Sequence, residues 1–310
     1  MMQKNENLFR GILFYILTCL FLLFPTCIQG QNSKHSLMLW GAAGYSTFFT
    51  KWNSFNNTGN FGSGVGFGFN FLLKEHFIIS TGVEYLSLNS SVRPTNLIIY
   101  KYLVDTEDDE YTMEYALQRF VQLDRTHNIF IPIYFGYKTN LRNLDFYVVG
   151  GGKVGYMFAS NSVTKIPAFT TIGIYDRFIE PFKDMPNHYF DTKKYYSTSA
   201  LNFSRLQAVV SLEFGVEFPS VFAGNALRIG IFADYGVINQ QTKKMQKQNK
   251  ELISFEAIPN DIRISNLYET TYKSSSNTSS FFSGVKITLL LNVTKPPCPT
   301  CLPKNFSKKK

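Results

Sequence analysis

The chain has 310 residues, 45% of them apolar, and this length and composition exclude a fibrous or disordered polypeptide. Aromatic residues reach 16% while charged residues are only 17%, below the roughly 25% usual for soluble domains, which favours a surface that meets lipid. The net charge of +9 is dispersed except at Lys308, Lys309 and Lys310, and this pattern argues against a nucleic-acid interface.

The N-terminal residues have the layout of a secretory signal peptide. Lys4 and Arg10 precede an uninterrupted apolar run over residues 11–24, and a small-residue site follows. The run is shorter than the roughly twenty residues that a helix needs to span a bilayer, which weighs against a retained anchor. A lipoprotein would use Cys27, but the residues before it match an acylation site poorly. We predict that residues 1–30 are cleaved on export.

A period of two residues dominates the rest of the chain. Its clearest instance is residues 205–218, where an unbroken apolar row alternates with a mostly polar one. A strand that crosses a bilayer at a tilt needs about nine to eleven residues, and this segment is long enough. We predict eight such strands, at residues 37–49, 61–71, 77–88, 128–137, 145–158, 205–218, 227–240 and 280–293.

The second predicted strand has glycine on one whole face. Gly62, Gly64, Gly66 and Gly68 alternate with phenylalanine and valine. Because glycine is a poor strand former, four on one side predict the crowded interior of a narrow barrel, with the phenylalanines outside.

The connections between the strands alternate in length. Those at residues 73–76, 138–144 and 219–226 are short, whereas those at 50–60, 89–127, 159–204 and 241–279 are longer. Short periplasmic turns and long outer loops are the arrangement of outer-membrane proteins. The sequence therefore predicts an all-β fold, a single eight-stranded antiparallel up-and-down transmembrane β-barrel over residues 31–293, with long extracellular loops.

The inward rows of these strands carry four acidic and four basic residues. Isolated charges inside so narrow a barrel are costly unless they are paired. We therefore predict a lumen closed by ion pairs, unlike a porin, whose water-filled channel needs about sixteen strands. The predicted network consists of Glu84, Lys153, Arg205, Glu213, Glu217, Arg228, Asp234 and Lys286.

Aromatic residues along the strands are candidates for girdles at the lipid boundaries. Ordinary strand propensity is the alternative explanation for each of them. The candidates are Trp40, Tyr45, Tyr85, Tyr137, Tyr147, Tyr156 and Tyr235.

After residue 293 the composition changes to proline, cysteine and lysine. Cys298 and Cys301 have the spacing of redox and metal motifs, but the neighbouring prolines oppose the helix that a thioredoxin-like site requires. We predict that residues 294–310 form a periplasmic tail in which the two cysteines form a local disulfide or contact a periplasmic partner.

Three segments of the predicted wall share a recognisable pattern. Residues 128–138 read Asn-Ile-Phe-Ile-Pro-Ile-Tyr-Phe-Gly-Tyr-Lys, residues 147–152 end in three glycines, and residues 282–287 read Phe-Ser-Gly-Val-Lys-Ile. They resemble the fourth, fifth and last strands of the Bacteroidetes outer-membrane β-barrel family that includes PorT-like proteins. The resemblance implies the fold and the location, and some family members are similar to components of a secretion system.

Residues with catalytic or metal-binding potential are sparse. The four histidines lack metal-ligand spacing, and the acidic residues at 105–110 lack the spacing of a calcium loop. His127 with Asp124, and His188 with Asp191, leave a lipid-modifying hydrolase or acyltransferase open as an alternative. No cofactor or metal is predicted.

Taken together, these patterns predict a non-enzymatic outer-membrane scaffold. The long loops would serve surface binding, or envelope or secretion assembly, because loops on a rigid scaffold are the usual binding sites. The predicted partners are outer-membrane lipids including lipopolysaccharide, and a protein of the envelope, with no nucleic acid. A small-solute channel is the alternative that the charged lumen disfavours.

Overall fold

The computed structural model describes most of the chain between residues 34 and 292. The predicted signal peptide and the predicted tail with Cys298 and Cys301 lie outside the described residues. No described helix is long and apolar enough to cross a membrane. The described ranges are 34–52, 57–73, 76–94, 96–105, 108–139, 144–178, 180–188, 190–222, 225–247, 250–255, 262–270 and 273–292.

These ranges contain strands joined by turns and a single short α-helix, α1 (Lys243–Lys247). Two 3₁₀ turns lie at Pro186–His188 and Leu267–Glu269. The strands are β1 (Lys34–Trp52), β2 (Asn57–Leu73), β3 (Phe77–Val92), β4 (Asn96–Val104), β5 (Glu110–Gln118), β6 (Val121–Thr139), β7 (Asp145–Ile174), β8 (Thr192–Ser199), β9 (Leu206–Phe222), β10 (Asn225–Gly236), β11 (Ile253–Phe255), β12 (Ile262–Ile264) and β13 (Lys273–Asn292).

Eight of these strands close into an antiparallel barrel. Each wall strand pairs with the next wall strand along the chain, in the order β1, β2, β3, β6, β7, β9, β10 and β13. The ring closes where β13 pairs with β1, from Leu37 opposite Leu291 to Thr50 opposite Thr278. Each predicted strand corresponds to one wall strand, so the predicted fold class is confirmed.

Alternation along the wall strands separates an outer face from a lumen face. In β9, for example, Leu212 and Phe214 are more than half exposed, whereas Ser211 and Glu213, which alternate with them, are buried. Every wall strand contributes exposed apolar side chains to a belt on the outer face. One member from each strand is Leu39, Phe67, Val83, Ile133, Val148, Leu212, Ile231 and Val285.

The glycine row of β2 faces the lumen. A Cβ on Gly66 would lie 2.3 Å from the Trp40 ring, and one on Gly62 would lie 2.9 Å from the Phe282 ring. Larger side chains at these positions would overlap their neighbours, whereas Phe67 and Phe69 point outward. The predicted crowding of this face is confirmed.

The wall strands continue beyond the barrel at the end opposite the short turns, and there they form a cap. In β7, Phe158 forms a bulge, because Ala159 pairs with His127 and Met157 pairs with Asn128. Beyond the bulge, β7 pairs with the outer part of β6. Further along it pairs with β5 on one edge and with β8 on the other. β4 and β5 form a hairpin. The segments predicted as long loops thus contain ordered strands, and the connection at residues 50–60 is mostly taken up by β1 and β2.

An apolar core holds the cap together. It joins the hairpin to the outer part of β7 and to the last long connection, which supplies β11 and β12. Buried side chains from these distant parts of the chain hold the parts of the cap against one another. They include Leu97, Met113, Tyr115, Leu117, Ile166, Phe169, Leu252, Ile253 and Leu267.

Candidate functional site: a closed lumen beneath a folded cap

The centre of the lumen holds a lysine between two carboxylates. Lys153 Nζ lies 2.6 Å from Glu84 Oε2 and 2.7 Å from Asp234 Oδ2, and all three side chains are at most 3% exposed. Trp40 Nε1 donates a hydrogen bond of 3.2 Å to Glu84 Oε1. Removing one member of such a buried set leaves an uncompensated charge, so these side chains depend on one another.

A second ion pair lies beside the first. Lys286 Nζ is 2.7 Å from Glu213 Oε2, and the Tyr147 hydroxyl donates a hydrogen bond of 2.7 Å to Glu213 Oε1. The Lys286 ammonium also lies 5.2 Å from the centre of the Trp40 ring and 5.1 Å from that of Tyr134. These contacts give the ammonium both a counter-ion and two aromatic faces.

A third set closes the lumen towards the short turns. Glu217 accepts hydrogen bonds from Arg228 Nε at 2.7 Å and from Lys138 Nζ at 2.8 Å. Lys138 Nζ also lies 3.2 Å from Asp145 Oδ2. Sequence reasoning missed Lys138 and Asp145, which sit at the edges of a predicted turn. Continuing the inward row of β6 by one more step would have found Lys138.

The structure places seven of the eight predicted network residues in the lumen, and Arg205 elsewhere. Arg205 is exposed, and its guanidinium donates a hydrogen bond of 3.0 Å to the Tyr156 hydroxyl on the outer surface. Its assignment to the lumen is wrong because β9 begins at Leu206, so the alternation does not extend to it. The seven are Glu84, Lys153, Glu213, Glu217, Arg228, Asp234 and Lys286.

Two of the predicted girdle residues belong to the lumen. Trp40 is 6% exposed and Tyr147 is 4% exposed, and both donate hydrogen bonds to the carboxylates described above. For these two the girdle prediction is wrong, because they stand on inward rows. The candidates on the outer face are Tyr45, Tyr85, Tyr137, Tyr156 and Tyr235.

Apolar side chains from the long connections form a plug in the half of the lumen next to the cap. The plug consists of Phe203, Met245 and Tyr268, which are at most 3% exposed. The Phe203 ring packs edge-on against Phe48 of the wall at 5.5 Å and against Tyr268 at 5.1 Å. Sequence reasoning missed the plug because its members are isolated apolar residues in polar segments without periodicity.

A buried polar cluster joins the wall to the plug segment, above the apolar belt. Gln122 Oε1 accepts a hydrogen bond of 3.0 Å from the backbone N–H of Leu267, beside Tyr268. Gln122 Nε2 and Ser162 Oγ donate to Asp124 Oδ1 at 3.0 and 2.6 Å. Burial raises the pKa of Asp124 to about 6, although hydrogen bonds from Ser162, Gln122 and Tyr268 act in the opposite direction.

The predicted histidine and aspartate pairs do not assemble into a catalytic site. His127 lies on the outer face, where its Nδ1 is 2.7 Å from the Tyr85 hydroxyl, whereas Asp124 points inward. His188 is exposed in a 3₁₀ turn, and Asp191 Oδ1 accepts a hydrogen bond from the backbone of Thr192. Within the described ranges, no cluster of His, Cys, Asp and Glu suits a metal ion.

Comparison with known proteins adds little to this geometry. No family model and no curated protein matches the chain. Among solved structures, the chain is similar to Ail, the attachment invasion locus protein of Yersinia pestis, crystallised with the heparin analogue sucrose octasulfate. That likeness has 8% sequence identity and a TM-score of 0.23, and it covers 84% of this chain and 100% of Ail. The assignment of a barrel therefore depends on the strand pairing of this chain and not on that likeness.

Proposed function

We propose that this chain is an outer-membrane protein whose barrel is a closed, non-enzymatic scaffold and whose cap binds a partner at the cell surface. The observation that carries the proposal is that both halves of the lumen are filled, by ion pairs in one half and by the plug in the other. The connections that supply the plug also build the cap, so the cap is held rigidly. Binding surfaces are commonly presented on rigid scaffolds in this way.

The apolar belt supports insertion into a bilayer. A soluble protein rarely exposes a contiguous apolar surface of this extent, and here it encircles the barrel. Outer-membrane lipids, including lipopolysaccharide, are the partners proposed for this belt and its aromatic edges. Export through the predicted signal peptide at residues 1–30 belongs to the same proposal.

The filled lumen argues against a channel. A cavity lined by Trp40, Tyr134 and Glu213 has a volume of about 20 Å³, which holds about one water molecule. The charges around it are engaged with one another, so a passing ion would have to displace them. A lipid-modifying enzyme has no support in the placement of His127 and Asp124, which lie on opposite faces of the wall.

The resemblance to PorT-like proteins extends this proposal to the kind of partner. It supports a protein of the envelope or of a secretion assembly, reached through the cap or through the predicted tail with Cys298 and Cys301. The boundaries of signal peptide, barrel and tail at residues 30 and 293 remain part of the proposal.

Planar-bilayer recording tests the closed scaffold. The purified full-length protein is expected to insert and to show no steady single-channel current at moderate voltage. A porin of known conductance, reconstituted in the same way, serves as the control. Large, steady currents from the purified chain would contradict the proposal.

Site-specific crosslinking in intact cells tests the cap as the binding surface. A photo-reactive residue at Lys194, exposed in the cap, is expected to yield adducts that surface protease removes. The matched position is Phe77, exposed at the short-turn end. Equal adducts from both positions, or adducts from Phe77 alone, would contradict a surface role for the cap.

A further inference from the structure

The cap sheet has two outer edges in the described part of the chain, and they carry opposite kinds of side chain. β8 pairs only with β7 there, and its exposed positions include Lys193 and Lys194. β4 pairs only with β5, and its outward row is apolar and aromatic. That row is Ile98, Tyr100, Tyr102 and Val104, with exposed fractions of 49, 56, 88 and 60%.

The β8 edge shows how this protein protects a strand edge, and the β4 edge lacks that protection. Lysine on an edge strand prevents pairing with other chains, as does proline. β4 has no proline, and its one charged side chain, Lys101, turns inward to pair with Glu251 and to donate to the Ile253 carbonyl at 2.7 Å. An exposed, uncharged edge strand is a surface for strand addition.

Lipid does not account for the apolar row on β4. Asn96, at one end of β4, pairs with Gln118, which pairs with Ala168 on β7. Ala168 lies ten residues beyond Phe158, which stands at the edge of the apolar belt. At about 3.3 Å per residue, this is about 30 Å of strand, so the row lies well outside the proposed membrane.

The charges at the two ends of β4 are of opposite sign. The turn beyond Val104 and the first residue of β5 carry Asp105, Asp108, Asp109 and Glu110, and Arg177 forms an ion pair with Asp109. Two exposed arginines flank the other end: Arg93 precedes Asn96, and Arg119 follows its partner Gln118. The edge is therefore acidic at one end, basic at the other and apolar between.

We infer that this edge binds a second copy of the same chain, through antiparallel pairing of β4 with β4 about a two-fold axis at Tyr100. Antiparallel pairing places the acidic end of one copy beside the basic end of the other. It also sets Ile98 opposite the partner's Tyr102, and Tyr100 opposite its own equivalent, which are favourable cross-strand pairs. Charge and shape are thus self-complementary.

The geometry of the pair fixes where it forms. β4 joins through β5 to β7, which is a wall strand, so β4 runs roughly along the barrel. When β4 is antiparallel to its copy, the two barrels point in opposite directions. Such pairs form between facing membranes, and many weak pairs act together there. This inference rests on the proposed surface position of the cap.

Light scattering and vesicle clustering test this pairing with the full-length protein. In detergent, where both orientations are available, a concentration-dependent dimer is expected, and vesicles with the cap outward are expected to cluster. Tyr100→Lys places two positive charges at the two-fold axis. It is expected to weaken dimer formation and vesicle clustering by at least about tenfold. The matched control is Tyr196→Lys on β8, exposed to a similar extent, which is expected to leave both unchanged.

Mixing variants distinguishes pairing from a folding defect. Tyr100→Lys and Tyr100→Glu are each expected to be monomeric alone and to form a mixed dimer together, since opposite charges then meet at the axis. A wild-type protein that stays monomeric in concentrated detergent solution would overturn the inference, as would the absence of a mixed dimer. Surface adducts from Lys194 to a different protein would still support the proposed function.

Discussion

The two halves of the lumen are closed by different chemistry from different parts of the chain. From the centre of the lumen to the short turns, charged side chains from the wall strands pair with one another, as Lys153 does with Glu84 and Asp234. Near the cap, the wall contributes Phe48 and its neighbours, while the connections contribute the plug. The first half is part of the barrel itself, and the second is a contact between the barrel and its cap.

This difference determines what each half stabilises. Loss of an ion-pair partner leaves a charge in the middle of the wall, so the whole barrel bears the cost. Loss of plug volume leaves a cavity under the cap, so the barrel keeps its strand pairing while the cap loosens. Three substitutions separate these outcomes.

The largest effect is expected for Lys153→Met. It leaves the Glu84 and Asp234 carboxylates buried together without the ammonium that lies between them, which costs about 3–5 kcal/mol in the free energy of unfolding. Urea-induced unfolding in lipid vesicles measures it. Arg205→Met, on the outer surface, is the control and is expected to change stability by less than about 0.5 kcal/mol. If Lys153→Met does not fold, adding Asp234→Asn is expected to restore folding in part. Equal stability of the two single variants would contradict the structure of the network.

A more local effect is expected for Met245→Ala. Met245 is fully buried in the plug, and its truncation costs about 2–5 kcal/mol of packing beneath the cap. Limited proteolysis is expected to cut the cap faster while the barrel fragment survives. Met185→Ala, at an exposed cap position, is the control and is expected to leave the cleavage rate unchanged. Loss of the whole barrel on Met245→Ala would contradict the separation of the two halves.

The smallest effect is a pH dependence at the junction of wall and plug. Because burial raises the pKa of Asp124 to about 6, above its ordinary 3.8, the folded protein binds that proton more tightly than the unfolded chain does. Its contribution to the free energy of unfolding therefore increases as the pH falls from 7 to 5, by about 1 kcal/mol.

Unfolding curves at several pH values measure this slope for wild type and for Asp124→Asn, which is expected to lack it. Asp191→Asn, whose side chain is partly exposed in the cap, is expected to keep the wild-type slope. An unchanged slope in Asp124→Asn would show that another group titrates.

The wall could be predicted from the sequence because a period of two residues encodes both faces of a strand. The same alternation put Lys153 and Asp234 in the lumen without any structural information. It was wrong at Arg205 because that residue lies just before β9, which begins at Leu206. It said nothing of Phe203, Met245 or Tyr268, because single apolar residues in irregular segments have no periodicity to reveal their burial.

Girdle prediction had a different difficulty. Tyr147 and Tyr235 both lie in wall strands, yet the first points into the lumen and the second points outward. Residue type alone does not distinguish a lipid-facing ring from one that donates a hydrogen bond to a buried carboxylate. The distance along the strand does distinguish them. A ring that lies an even number of residues from a charged lumen residue points inward, and a ring that lies an odd number of residues away points outward.

The bulge at Phe158 acts as a phase shift within one continuous strand. Before it, odd-numbered side chains such as Tyr147 and Lys153 point inward, and just after it the even-numbered Ser162 and Thr164 do. One extra residue thus changes which side chains of β7 point inward between the barrel wall and the first part of the cap, and a second shift follows between Ile166 and Phe169. The burial pattern of the wall part of β7 is therefore independent of the pattern in its cap part, because the bulge resets the alternation between them.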